Sequence, residues 1–224
     1  EAPGLESLTV LDAPTDWEAY RAEALPPSRV GEAVATLHGE GLLPVRRLAF
    51  QVWDLDAQEL ATVVGLSSLR LESLALRAVL RGRLGVEAAE VLVAAPGLWG
   101  LRELEVLGQP LGDEGAQRLA GAAWPLERLE LVRCGLTSPG VEAVLAAYPL
   151  SRTALNLRGA SLDLAGLRRL AQHVEEAIDG EGLWAVTSAG QVLRVERVAR
   201  TGRQDAQLEF PGRMTAHLRL EQER

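Results

Sequence analysis

The stretch "LERLELVRCGLTSPGVEAVLAA", residues 126–147, carries two periodicities in succession. Leu129 and Leu131 alternate with polar neighbours, which is the period of a strand with one buried face. Val141, Val144 and Leu145 then fall on one face at helical spacing. Between them Ser138 stands where an N-cap belongs, and Pro139 suits the first helical position, where a missing N–H costs nothing. One strand and one helix of this size cannot bury their apolar faces alone, so the unit requires neighbours of its own kind.

Those neighbours are present. "VRRLAFQVWDL" from Val45, "LESLALRAVL" from Leu71, "LRELEVLGQPL" from Leu101, "LERLELVRCGL" from Leu126 and "RTALNLRGASL" from Arg152 align on their apolar positions, with starts 26, 30, 25 and 26 residues apart. The inward pairs are Leu48 and Phe50, Leu74 and Leu76, Leu104 and Val106, Leu129 and Leu131, Leu155 and Leu157. A further leucine closes each unit (Leu55, Leu84, Leu111, Leu136, Leu162), Leu84 after an insertion. A helical pattern follows every strand, with Asp56, Asp113, Ser138 and Asp163 as expected N-caps. The corners "AAWPL" (122–126) and "AAYPL" (146–150), together with Trp99, predict aromatic wedges between helix end and next strand.

The pattern L-x-x-L-x-L-x-x-C-x-L followed by a helix resembles the leucine-rich repeats, and units of this length resemble the ribonuclease-inhibitor-like class. The resemblance covers roughly residues 45–178, with a degenerate first unit at Leu5, Leu8 and Val10. It implies an α/β leucine-rich-repeat solenoid, a horseshoe arc with a parallel concave sheet and convex helices. At the loop position that usually holds Asn or Cys, this chain has Trp53, Val79, Gln109, Cys134 and Ala160. A largely absent side-chain ladder, and a less regular loop edge, is therefore expected.

Both ends depart from the repeat. Residues 1–44 read as an N-terminal cap containing the degenerate first repeat, with helical patterns "TDWEAYRAEAL" and "SRVGEAVATLHGEG". Residues 45–178 form the solenoid of about five units. Past "DGEG" the period changes to alternation, and 179–224 read as a small antiparallel β segment with a hairpin turn at Ser188, Ala189 and Gly190, either a C-terminal cap or a separate binding module. The chain opens at Glu1 rather than Met, which leaves room for a leader or a neighbouring domain.

Composition narrows the function. A net charge of -8, with 31 acidic against 23 basic residues, argues against a general phosphate-backbone binder. All the basic residues are Arg; this bias resembles a GC-rich, bacterial coding sequence. No apolar run reaches the roughly 20 residues a membrane span requires, and one cysteine cannot form an internal disulfide, which fits a reducing cytoplasm. Cys134 sits at the loop-wall position, and no His lies near it in sequence. His38, His173 and His217 fall on separate elements without metal-ligand spacing. Without Lys there is no phosphate loop ending in that residue, and G-x-S-x-G is also missing. The expectation is a protein that is not an enzyme, with no catalytic or metal residues, no cofactor and no small-molecule substrate.

The informative residues are those facing outward on the strands. Arg47, Gln51, Arg77, Arg102, Glu105, Leu107, Arg128, Glu130, Val132, Asn156 and Arg158 form a charged, partly apolar panel, the candidate surface for a partner protein. The C-terminal sheet is the other candidate. The reading is a protein–protein interaction module or scaffold that contacts neither nucleic acid nor membrane. The alternative is a regulator of enzyme turnover, such as a GTPase activator or an inhibitor, for which Arg81 and Arg83 in "LRGRLG" are the candidate arginines acting in trans.

Overall fold

Leu8, Leu48, Leu74, Leu104, Leu129 and Leu155 stand in one row, each on the strand beside the last. The protein is seen here in a computed structural model that describes residues 7–12, 45–52, 55–66, 70–78, 82–149 and 152–163, the backbone of 183–188, 191–197, 204–210 and 214–220, and positions 31, 34, 36, 166 and 169. The strands are β1 (Ser7–Asp12), β2 (Arg47–Val52), β3 (Ser73–Ala78), β4 (Glu103–Leu107), β5 (Arg128–Val132) and β6 (Ala154–Leu157), then β7 (Leu183–Ser188), β8 (Gln191–Arg197), β9 (Gln204–Phe210) and β10 (Met214–Leu220). They form a single sheet in chain order. The delimited α-helices are α1 (Ala57–Val64), α2 (Val86–Ala94), α3 (Gly112–Ala120) and α4 (Ser138–Ala147).

This is an α/β fold. From β1 to β7 every neighbouring pair is parallel, and parallel neighbours need a crossover, which the helices supply after β2, β3, β4 and β5. The strand registers superpose the residues that the repeat aligns: Leu48 on Leu74, Leu74 on Leu104, Leu104 on Leu129 and Leu129 on Leu155. The uneven spacing is absorbed outside the strands. Leu84, after the insertion, is fully buried like Leu55, Leu111 and Leu136.

One face of the sheet packs against the helices. Leu48, Phe50, Leu74, Leu104, Leu129 and Leu131 share one core with Leu60 and Val63 of α1, Leu92 of α2, Leu119 of α3 and Val144 of α4. Consecutive helices lie against one another, so each unit covers the flank of the next. β7 joins β6 in parallel, and β8, β9 and β10 follow antiparallel in the same sheet. The antiparallel segment expected past residue 179 thus extends the parallel sheet. The helical patterns expected within residues 13–44 and over 163–178 fall almost wholly outside the described residues.

Capping departs from the local reading in an instructive way. Asp56 caps α1 as expected, accepting from Glu59 N at 2.8 Å. Asp113 does not cap its own helix: α3 starts at Gly112, and Asp113 lies inside its first turn. Its carboxylate reaches the following unit, where Oδ1 accepts from Thr137 N at 2.7 Å and Gly140 N at 3.1 Å, and Oδ2 accepts from the Thr137 hydroxyl. Thr137, rather than Ser138, is the N-cap of α4, and its own side chain makes no capping bond to the helix. Ser138 Oγ instead donates to Asp163 Oδ1 at 2.8 Å and accepts from Asp163 N at 3.1 Å, while Asp163 Oδ1 accepts from Gly166 N at 2.7 Å. Orphan amides at a helix start must find acceptors, and here the acceptor is one repeat away.

Asp113→Ala is therefore expected to lower stability by about 1–3 kcal/mol, more than an exposed cap residue serving one amide, because it strands donors in the next unit. Urea unfolding of both proteins measures it; a loss below about 0.5 kcal/mol would show that water replaces the carboxylate.

Part of the loop edge is bonded by side chains, within a ladder expected to be largely absent: Gln109 and Cys134 make such bonds. Gln109 is 2% exposed, and its Oε1 accepts from Leu84 N at 3.1 Å. A Cβ on Gly82 would lie 1.9 Å from that same oxygen, so the insertion needs glycine there. Trp53 and Val79 lie outside the described residues.

Trp124 and Tyr148 are wedges as read, 5% and 4% exposed. Tyr148 donates its hydroxyl hydrogen to Leu119 O at 2.9 Å. Trp99 is not a wedge. It is 71% exposed, because the chain makes a 3-10 turn over Pro96–Leu98 and Leu98 takes the inside position. The indole Nε1 of Trp124 is buried without an acceptor among the described residues. Trp124→Phe removes that stranded donor and keeps a ring, so we expect a change within about 1 kcal/mol, against a loss of about 3–5 kcal/mol for Trp124→Ala. A Phe variant destabilised as much as the Ala variant in guanidinium melts would contradict this.

Candidate functional site

The face of the sheet turned away from the helices carries the sequence-predicted residues in three rows. Arg47, Ser73, Glu103 and Arg128 form one; Thr9, Ala49, Ala75, Glu105, Glu130 and Asn156 the next; Leu11, Gln51, Arg77, Leu107 and Val132 the third. Side chains on neighbouring strands stand about 5 Å apart, so rows decide who meets whom. Arg102 lies one residue before β4, and exposed Arg158 lies just past β6. Val132 requires correction. It shares the outward register but is 8% exposed, so it lends almost no area to a partner.

Glu105 and Glu130 are direct neighbours in register, an arrangement that destabilises a sheet unless each charge is answered. Both are answered from within. Arg77 makes a bidentate pair with Glu105, Nε and Nη2 each 2.6 Å from a carboxylate oxygen. Glu130 takes Arg128 Nε at 2.8 Å and Asn156 Nδ2 at 3.0 Å. The hydrogen bond to Glu105 raises the Arg77 pKa, with burial opposing, so the guanidinium keeps its charge.

The rim is answered too. Arg46, Glu72, Arg102 and Glu127 alternate in sign across successive strands, joined as Arg46 with Glu72 at 2.9 Å and Arg102 with Glu127. Exposed pairs of this kind contribute about 0–1 kcal/mol each, but they occupy the charges. Among the described residues, Arg47, Glu103 and Arg158 form no ion pair. The outward charges open to a partner are therefore a smaller set than the sequence marks, and a charge reversal at Glu105 or Glu130 would break internal pairs before it reported on any partner.

Arg47 and Glu103 border a cleft of about 320 Å³ on this face, floored by Thr9, Ala49, Ser73 and Ala75 with Arg77 and Glu105 as its far wall. Small side chains on β2 and β3 make the floor low. A larger hollow of about 610 Å³ lies at the corners, where Trp124 and Tyr148 are exposed to it only at their edges; its walls are the wedges that seat the helix ends, so we assign it a packing role.

Cys134 belongs to the loop wall. It is 1% exposed, and Sγ is placed to donate to Val106 O at 3.2 Å or Val132 O at 3.5 Å. Burial pushes its thiol up to about 12, against a smaller lowering by the Gln109 backbone N–H. A buried thiol held neutral in this way is a poor nucleophile at physiological pH.

Of the two arginines considered for action in trans, Arg81 lies outside the described residues and Arg83 is exposed in the insertion, its carbonyl accepting from Gly85 N at 3.0 Å. Among the described residues no group of three or more His, Cys, Asp or Glu is placed to hold a metal ion, and no helix is long and apolar enough to cross a membrane. His217 lies on β10, while His38 and His173 fall outside the described residues. No protein-family model matches the chain, and no curated protein matches it.

Proposed function

We propose that the chain is a leucine-rich-repeat solenoid of the ribonuclease-inhibitor-like kind, serving as a non-catalytic scaffold that binds a partner protein through the open face of its sheet. The observation that carries this reading is the cleft on that face, with Arg47 and Glu103 at its border forming no ion pair among the described residues while the charges around them are satisfied internally. Long charged side chains lose entropy when a partner fixes them, yet unpaired ones have no internal bond to give up.

The test is quantitative capture from the native cell by the full chain and by an Arg47→Glu/Glu103→Arg variant, read by mass spectrometry. Both residues border the cleft without making an ion pair, so the variant is expected to fold, and to lose its specific partner by about tenfold or more. Capture unchanged by the double reversal would move the binding surface to the C-terminal strands or the helical side.

A further inference from the structure

We infer that the open-face cleft seats an α-helical segment of the partner, laid across β2, β3 and β4, with an acidic residue meeting Arg47 and a basic residue seven positions away meeting Glu103. This rests on the open face being a docking surface.

Spacing supports a helix. Arg47, Ser73 and Glu103 occupy one register row, so Arg47 and Glu103, which form no ion pair among the described residues, stand two strand spacings apart, about 9.6 Å, with only a serine between. Residues seven apart on an α-helix lie on one face about 10.5 Å apart. In an extended segment, same-face residues two or four apart lie about 6.6 or 13.2 Å from each other, and neither fits as well.

Backbone chemistry points the same way. β2, β3 and β4 each have both neighbours paired, so a partner laid across these three strands finds no open edge to bond; β1, which adds Thr9 to the floor, is paired with β2 alone among the described residues. An extended segment would leave its own backbone groups unpaired against the sheet, whereas a helix arrives with them satisfied. The floor also suits a cylinder. Thr9, Ala49 and Ala75 form a low row beside Arg47 and Ser73, and the bidentate Arg77–Glu105 pair makes a fixed wall on the far side. Charge polarity then sets the direction of the helix, since reversing it would place like charges together at both ends.

The probe is a displayed library of alanine-rich single helices, randomised on one face and selected on the full chain, with the enriched sequences resynthesised and their binding read by fluorescence anisotropy. The inference expects enriched helices to carry an acidic and a basic residue seven apart. Arg47→Glu should weaken them by about tenfold or more, and changing the helix's acidic residue to Arg should restore binding to that variant. Enrichment without this spacing, or binding indifferent to Arg47→Glu, overturns it. Ala49→Trp, which fills the floor, separates the two readings. Enriched helices of another pattern that lose binding to Ala49→Trp overturn only the helical register; helices that still bind it overturn the docking surface as well.

Discussion

Leu129→Ala is expected to lower unfolding free energy by about 2–5 kcal/mol, at the upper end of what a single core truncation does. Leu129 is fully buried and stands between Leu104 and Leu155 in the inward row. The void it leaves cannot close by local collapse, because both flanking strands are held in register by their own backbone bonds. In a stacked array each interface adds to the whole, so a break in the middle uncouples the units on either side. Denaturant unfolding should show a lower midpoint, and a second transition where the wild type shows one. A loss under about 1 kcal/mol would mean that the row is not packed as described.

The second large effect concerns Cys134. With its pKa raised from 9.0 to about 12, the thiolate fraction at neutral pH falls by about a thousandfold, and burial blocks access besides. Native protein should react with a thiol reagent at least about a thousandfold more slowly than urea-unfolded protein. Reaction at the unfolded rate would place the sulfur at the surface.

The same shift fixes a pH dependence. In the unfolded chain the thiol loses its proton near 9, whereas in the folded chain it holds it to about 12. The native state therefore binds more protons than the unfolded state across that window, and stability falls as pH rises through it. Tyr148, raised from 10.0 to about 12 chiefly by burial, adds a decline of the same sign from pH 10 upward. Below pH 9 neither group contributes a slope. Cys134→Ala should flatten the alkaline decline in urea midpoints most between pH 9 and 10, where the unfolded tyrosine has lost its proton least; an unchanged slope there would assign the decline to other groups.

Much of the architecture is legible in the residues. Alternation at Leu104 and Val106, or at Leu129 and Leu131, names the buried face because a strand's side chains point alternately whatever surrounds it. The constant offset between units then predicts the register that the strands adopt. Leu84 was recoverable after the insertion because a fully apolar position is still needed to close the unit.

The site was only half legible. Outward positions follow from the same alternation, but Val132, 8% exposed, shows that facing outward is not being exposed. Trp99 looked like Trp124 by sequence, yet the turn over Pro96–Leu98 sent Leu98 inside in its place. Asp113 had the composition of an N-cap for its own helix and serves the next one. No local pattern separates these outcomes, because the acceptor and its donors lie 24 and 27 residues apart.

By itself the sequence determined which side chains turn inward, how long each unit is and where strands give way to helices, all of which depend on periodicity along one chain segment. Only the tertiary structure decided which charges are spent and which remain. Arg77 with Glu105, and Asn156 with Glu130, meet because strands 25–30 residues apart in the chain are brought side by side in one register. Among the described residues Arg47 and Glu103 are left over for the same reason: the strand between them offers a serine, and Arg128, on the other side of Glu103, gives its guanidinium to Glu130 instead.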